Sequence, residues 1–132
     1  MAAVIWVARS GGADLNAEAH RQAWNRHEPT SYQFVYSTGG QCGATRVRID
    51  VKKGLPVALE TLEKGCVTMD LEAAPTIDGV FDRLVGVYRS GADGVEVTYD
   101  SRYGFPANVR VDQTSRTADD EYGFGVEEFV PH

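Results

Sequence analysis

With 132 residues, of which 42% are apolar and 24% charged, the chain has the composition of a globular protein with one hydrophobic core, and a disordered or fibrous class is excluded. Acidic residues outnumber Lys and Arg by 19 to 13, a formal charge of -6, which argues against nucleic acid as a partner and gives no support for adhesion to anionic membranes. No apolar run approaches the roughly 18 residues of a transmembrane helix, so no membrane span is predicted.

The N-terminal eight residues allow two interpretations. Their sequence, MAAVIWVA, has about the length of a short signal-peptide apolar region, but no basic segment precedes it. The alternative is an N-terminal edge strand over Val4 to Val7. Residues 1–13 are therefore interpreted as an N-terminal extension, either a signal remnant or an edge strand, and residues 14–132 as a single domain.

Two segments have the period of a helix. The first runs from Asp14 to Glu28, and Pro29 ends it because the residue before a proline avoids helical geometry. The second runs from Ile77 to about Ser90 and carries an apolar residue at steps of three and four. The apolar stripe of the first helix is predicted to consist of Leu15, Ala19, Ala23 and Trp24. That of the second is predicted to consist of Ile77, Val80, Phe81, Leu84 and Tyr88.

Six segments alternate with period two, and three of them follow each helix. Pro56 predicts that the third is irregular or lies at a sheet edge. Short connections favour hairpins, so the order predicts an α+β fold, in which a mostly antiparallel sheet of about six strands carries both helices on one face. The residues that share a face in each segment are Tyr32, Phe34, Tyr36; Val47, Ile49, Val51; Val57, Leu59; Val95, Val97, Tyr99; Ala107, Val109, Val111; and Tyr122, Phe124, Val126.

The two cysteines, Cys42 and Cys66, belong to the same end of the first three-strand meander. The chain passes Cys42 after ascending the first strand, and it reaches Cys66 after ascending the third. A disulfide is geometrically allowed, and closing a loop of this length stabilises a domain by about 3 kcal/mol. Disulfides persist in oxidising compartments, so the pair predicts an extracytoplasmic location, which includes the periplasm, the cell envelope and secretion. The alternative is two unrelated free thiols, one of them buried.

Several sequence blocks carry a resemblance to a known family. They are Trp24, Tyr32-Gln33-Phe34, TIDGVFD at 76–82, VEVTYD at 95–100, YGFP at 103–106, VRVD at 109–112 and DDE at 119–121. Together they cover roughly residues 16–129, and over that span the chain resembles the bacterial family numbered 6174 among the domains of unknown function. The resemblance implies a small exported protein or lipoprotein. It implies no catalytic residues, because the family has no established activity.

Acidic residues gather at one end of the second predicted meander. Asp112 ends one strand, and Asp119, Asp120 and Glu121 precede the next. Calcium takes several hard oxygen ligands, so these four are candidates for a metal site, although the segment lacks the EF-hand pattern. Solvated turns that cap strands are the commoner explanation, and we expect neither a bound metal nor a cofactor.

The segment from Asp100 to Pro106 has the composition of a tight turn. Asp100 is expected to accept hydrogen bonds from its own turn amides, and Gly104 is expected to have a positive φ. Tyr103 and Phe105 are then either an exposed aromatic contact surface or part of a corner that folds back on the core. We favour the folded-back corner.

No recognisable nucleophile motif is present, and His20 and His27, two helical turns apart, stand about 10 Å from each other, too far to hold one metal. We therefore expect an exported binding or interaction domain with no catalytic site, whose partner is a protein or an envelope component. One alternative is a small metal-dependent or hydrolytic enzyme that uses the acidic end near Asp112 and Asp120. The other is a structural envelope protein.

Overall fold

The computed structural model contains one seven-stranded antiparallel sheet with two helices against one face. It describes residues 3–8, 13–27, 29–113 and 121–132, with side chains from Asn16 onward. The α+β fold predicted from the sequence is confirmed. The strands are β1 (Ala3–Ala8), β2 (Tyr32–Gly40), β3 (Gly43–Lys52), β4 (Leu55–Glu63), β5 (Gly94–Asp100), β6 (Pro106–Asp112) and β7 (Glu121–Pro131). The helices are α1 (Ala13–His27), α2 (Ile77–Arg89) and a single 3-10 turn (Leu71–Ala73).

The sheet has the strand order β1-β5-β6-β7-β2-β3-β4. Two three-strand meanders, β2 to β4 and β5 to β7, meet where β7 pairs with β2, with Val126 opposite Tyr36. The seventh strand, β1, extends the sheet beyond β5, with Trp6 opposite Val97. The N-terminal segment therefore occupies the edge position that the sequence allows, and β4 forms the opposite edge.

The hydrophobic core lies between the helices and the facing side of the sheet. Period-two alternation sends every second strand residue to this side, as the sequence predicts for β2, β3, β5, β6 and β7. None of the helices in the described residues is long and apolar enough to cross a membrane. The fully buried side chains include Phe34, Val47, Ile49, Val51, Ile77, Val80, Phe81, Leu84, Val97, Tyr99 and Val109.

The apolar stripe of α1 differs from the predicted one. Ala19 is exposed, whereas Ala17 and Trp24 are buried. Between them His20 faces the sheet, and its ring stacks on that of Tyr99 with the centroids 3.7 Å apart. A hydrophobicity pattern does not count histidine as apolar. It therefore misplaces the buried stripe of a helix in which a stacked imidazole lies at the centre.

The second helix begins and ends close to the residues that its sequence predicts. Thr76 has extended backbone geometry, and its Oγ1 accepts a hydrogen bond from the Gly79 N–H at 3.1 Å, a helix N-cap. The predicted stripe is buried, with Val87 added to it. Gly91 follows with φ of +76°, the left-handed conformation that glycine adopts without strain.

The predicted pairing of Cys42 and Cys66 is present. The two residues face each other at disulfide geometry with their Cα atoms 5.5 Å apart. The pair ties the β2–β3 turn to the segment after β4. Nearby, Thr45 Oγ1 accepts a hydrogen bond from the Gly65 N–H at 3.0 Å and donates one to the Val67 carbonyl oxygen, so this end of the meander is held by three links.

Candidate functional site

The acidic end of the second meander contains two described carboxylates. Asp112 and Glu121 are direct cross-strand neighbours in β6 and β7. Asp119 and Asp120 lie outside the described residues. Within the described part of the chain, no group of three His, Cys, Asp or Glu side chains is placed to hold a metal ion. Two carboxylates fall short of the six to eight oxygen ligands, in round terms, that calcium takes.

An open groove of about 560 Å³ lies over this end of the sheet. One row of the strand register crosses it, in which Glu96 faces Arg110, Arg110 faces Gly123, and Gly123 faces Gly39. The two glycines leave the floor without side chains, while Glu96 and Arg110 are exposed at the rim. With a floor of bare backbone and one exposed charged side chain of each sign, the groove has few of the converging polar groups that orient a ligand in most small-molecule sites.

The turn after β5 is organised by the carboxylate of Asp100. Its Oδ2 accepts hydrogen bonds from the backbone N–H groups of Arg102, at 3.0 Å, and Tyr103, at 2.7 Å. Gly104 has φ of +87°, and a Cβ at this position would lie 2.7 Å from the carbonyl oxygen of His20. The turn therefore packs closely against α1.

The two aromatic residues of this turn point toward the core. Phe105 is only 4% exposed, and Tyr103 is half-buried. Their rings contact that of Phe129, with centroids 5.2 and 4.7 Å away, and Phe105 meets Trp24 edge to face. This cluster joins the turn, α1 and β7, so its geometry is that of a packed corner.

Exposed apolar side chains are concentrated in β4 and in the segment that follows it. Six large apolar side chains are exposed among the described residues, and Val130 is the one that lies elsewhere. Leu55 and Val67 are the most exposed, at 67% and 62%. Contiguous exposed apolar patches on a protein often mark a binding surface. We call this concentration the apolar edge; its members are Leu55, Val57, Leu62, Val67 and Leu71.

The backbone of β4 is shaped by two β-bulges. Asp50 faces Ala58 while Val51 faces Pro56, which leaves Val57 as an extra residue. Val47 faces Thr61 while Arg46 faces Glu63, which leaves Leu62 as an extra residue in the same way. Bulges turn side chains away from the regular alternation, and here both extra residues are exposed and apolar. Between them, residues 58–61 pair regularly with β3.

On the sheet face away from the helices, the charged side chains next to this edge form ion pairs with one another. Arg48 donates a hydrogen bond to Glu60 at 2.8 Å, and Arg46 donates one to Glu127 at 3.0 Å. The hydrogen bond to Glu127 raises the pKa of Arg46 above its ordinary value. The charged side chains beside β4 on this face thus pair with one another. The apolar edge, in contrast, leaves its side chains exposed to solvent.

Comparison with known proteins assigns the chain to a family. The profile described as a family of unknown function (DUF6174) matches residues 16–131. The chain belongs to this family. Among the curated proteins, none matches it. The family assignment confirms the resemblance seen in the sequence blocks, and like that resemblance it designates no functional residue.

The apolar edge was only partly visible in the sequence of this DUF6174 member. Pro56 predicted an edge or irregular strand, and β4 is both. The bulged residues were missed, because a period-two pattern has no place for an extra residue. The signal for Leu62 is its spacing of three from Leu59, whereas the regular spacing of two between Val57 and Leu59 conceals the bulge at Val57.

Proposed function

We propose that this protein is an extracytoplasmic binding domain that takes up an extended polypeptide segment of another protein along β4. The observation that carries the proposal is the concentration of five exposed large apolar side chains on the apolar edge. Among the described residues no strand lies beside the outer side of β4, and an added strand hydrogen-bonds to the backbone N–H and C=O groups of such an edge.

The regular stretch of β4 between the bulges is short. Residues 58–61 offer only a few outward backbone groups, so backbone hydrogen bonds alone give weak binding. Each fully buried Val or Leu side chain adds about 1.5–3 kcal/mol. Val57 and Leu62, at the two ends of the stretch, supply the anchors, and a bound segment requires apolar side chains spaced to meet both.

The charge of the domain favours a foreign partner over a second copy. The formal net charge is -6, so two copies repel each other at an edge where strands must approach closely. Leu71 stands between the exposed acidic residues Asp70 and Glu72. A segment with basic residues next to its apolar anchors complements this arrangement, and such a sequence is the expected ligand.

The extracytoplasmic location is supported by the Cys42–Cys66 pair. Reducing compartments keep most cysteines as free thiols. A cysteine pair that stabilises a 132-residue domain as a disulfide is therefore expected in a compartment where the bond persists. A protein partner or an exposed peptide of the cell envelope fits both the location and the apolar edge.

Selection from a displayed library of random ten-residue peptides tests the proposal. We expect the selected peptides to combine apolar and basic residues and to slow hydrogen exchange of the β4 backbone amides. Val57→Lys is expected to weaken binding about tenfold or more, because it removes one anchor and adds a charge. Val130→Lys is the matched control, since Val130 is 48% exposed and Val57 46%. Ligands that bind the Val57→Lys variant as tightly as the parent protein, or that protect amides elsewhere, would contradict strand addition at β4.

A further inference from the structure

Arg83 occupies an unusual position between α2 and the sheet. It is half-buried, and its Nη1 donates hydrogen bonds to the hydroxyl of Tyr36, at 2.5 Å, and to Oγ1 of Thr38, at 2.8 Å. The guanidinium carbon lies 4.2 Å from the ring centroid of Phe124 and 5.8 Å from that of Tyr122. Neutral hydroxyls and aromatic rings are thus its neighbours.

The position is unusual because, among the half-buried arginines of the described residues, Arg83 alone has no carboxylate partner, in a chain where acids outnumber Lys and Arg by 19 to 13. The other half-buried arginines, Arg21, Arg46 and Arg48, do have such partners. Arg21 pairs with Asp82 at 2.8 Å, and Arg48 pairs with Glu60 at 2.8 Å. Withdrawing a cation partly from water without an anion is unfavourable, and cation–π contacts offset only part of that free energy.

The donors of this guanidinium are only partly used. Arginine has five N–H groups in one plane, and the described hydrogen bonds of Arg83 all involve Nη1. Phe124 lies against a face of the plane, and the described hydrogen bonds place no acceptor at Nε or Nη2. The edge formed by Nε and Nη2 matches the two oxygens of a carboxylate, which binds arginine through two parallel hydrogen bonds.

We propose that Arg83 binds a carboxylate group of a ligand, with Tyr36 and Thr38 fixing the guanidinium in place. A singly charged carboxylate suits the site better than a phosphate dianion, because the net charge of -6 repels a second negative charge. The inference is independent of the β4 edge, since it rests on different residues.

Titration with sodium acetate tests the site, followed through the arginine Nε–H signals in NMR spectra of isotopically labelled protein. Sodium chloride at equal ionic strength is the reference, and inorganic phosphate is the second probe. We expect a saturable shift of the Arg83 signal with acetate, weaker binding of phosphate, and no saturable shift with chloride. Arg83→Lys keeps the charge but loses the planar pair of donors, and it is expected to weaken acetate binding about tenfold. Arg89→Lys, an exposed position in the same helix, is the matched control.

Thr38→Val provides a second variant if Arg83→Lys does not fold. It keeps the arginine and removes one of its two anchors, so we expect a severalfold loss of acetate affinity. A shift that grows linearly and equally in acetate and chloride would overturn the proposal. Acetate affinity that is unchanged in Arg83→Lys or in Thr38→Val would do the same. Tighter binding of phosphate than of acetate would refute the carboxylate assignment.

Discussion

The phenolic oxygen of Tyr32, the first residue of β2, accepts a hydrogen bond from the backbone N–H of Ile77, the first residue of α2, at 3.0 Å. The first N–H groups of a helix have no partner within it. Thr76 satisfies one of them through Gly79, and Tyr32 satisfies another from 45 residues away in the chain. Both groups are buried, so this bond ties the start of the sheet to the start of the helix.

Removing the hydroxyl in Tyr32→Phe leaves the Ile77 N–H buried without an acceptor. We expect a loss of about 1–3 kcal/mol in the free energy of unfolding, measured by urea denaturation. Tyr103→Phe is the control, because the hydroxyl of this half-buried residue has no hydrogen bond among the described residues, and its loss is expected to stay below about 0.5 kcal/mol. Equal effects of the two substitutions would show that the Tyr32–Ile77 bond adds nothing to stability.

Three buried tyrosines predict a loss of stability at alkaline pH. Burial raises the pKa of Tyr32 to about 12, against the opposing effect of the Ile77 hydrogen bond, and burial also raises the pKa of Tyr36 and of Tyr99. In the unfolded chain these groups lose their protons near pH 10, while the folded protein still holds them. The folded state therefore binds more protons above pH 10, and stability falls as pH rises.

For Tyr32 alone, stability is full below pH 10 and decreases by roughly 2 kcal/mol by pH 12. Phenolate absorbance during an alkaline titration measures this. Of the six tyrosines, at least three are expected to ionise only with unfolding. Ionisation of all six near pH 10 in the folded protein would contradict the burial.

The Cys42–Cys66 pair predicts a stability difference between oxidised and reduced protein. The bond would close a loop with a sequence separation of 24, for which chain entropy gives a stabilisation of about 3 kcal/mol. Urea unfolding with and without reductant measures it, and the double variant Cys42→Ser, Cys66→Ser is expected to resemble the reduced protein and not to respond to reductant. Two titratable thiols in unfolded, unreduced protein from an oxidising preparation would disprove the bond.

Two glycines predict opposite responses to the same substitution. At Gly125 an added Cβ would collide with the carbonyl oxygen of Ala107, a backbone atom that cannot turn aside, so Gly125→Ala is expected to destabilise by about 1–3 kcal/mol. At Gly86, in α2, an added Cβ meets nothing within 4 Å, so Gly86→Ala is expected to stabilise by about 0.5–1 kcal/mol. Urea unfolding distinguishes the signs, and a loss at Gly86 equal to that at Gly125 would refute the steric argument.

The acidic end predicts no response to calcium. Binding to the folded state alone would raise stability by about 2.7 kcal/mol at a hundredfold excess over Kd. With two cross-strand carboxylates in the described residues, Asp112 and Glu121, we expect the same melting temperature in chelator and in millimolar calcium. A rise of several degrees that disappears in Asp112→Asn would establish a metal site.

Local patterns in the sequence determined the two helices and the six strands that follow α1, and in most of these elements the side that is buried. Alternation in β3 places Val47, Ile49 and Val51 on one face whatever the strand pairs with, and the steps of three and four in α2 do the same for its stripe. The proximity of Cys42 and Cys66 follows from the same information, because consecutive hairpins reverse the chain in a fixed order.

Only the tertiary structure decided which distant groups meet. Three contacts join elements whose own sequence patterns carry no information about the partner residue: Tyr32–Ile77, His20–Tyr99 and Arg83–Phe124. The bulges of β4 likewise depend on the register against β3. Hydrophobic periodicity is a property of one segment, whereas hydrogen bonds, ring contacts and register depend on the free energy of the whole packed chain, and the candidate sites of this protein are built from these contacts.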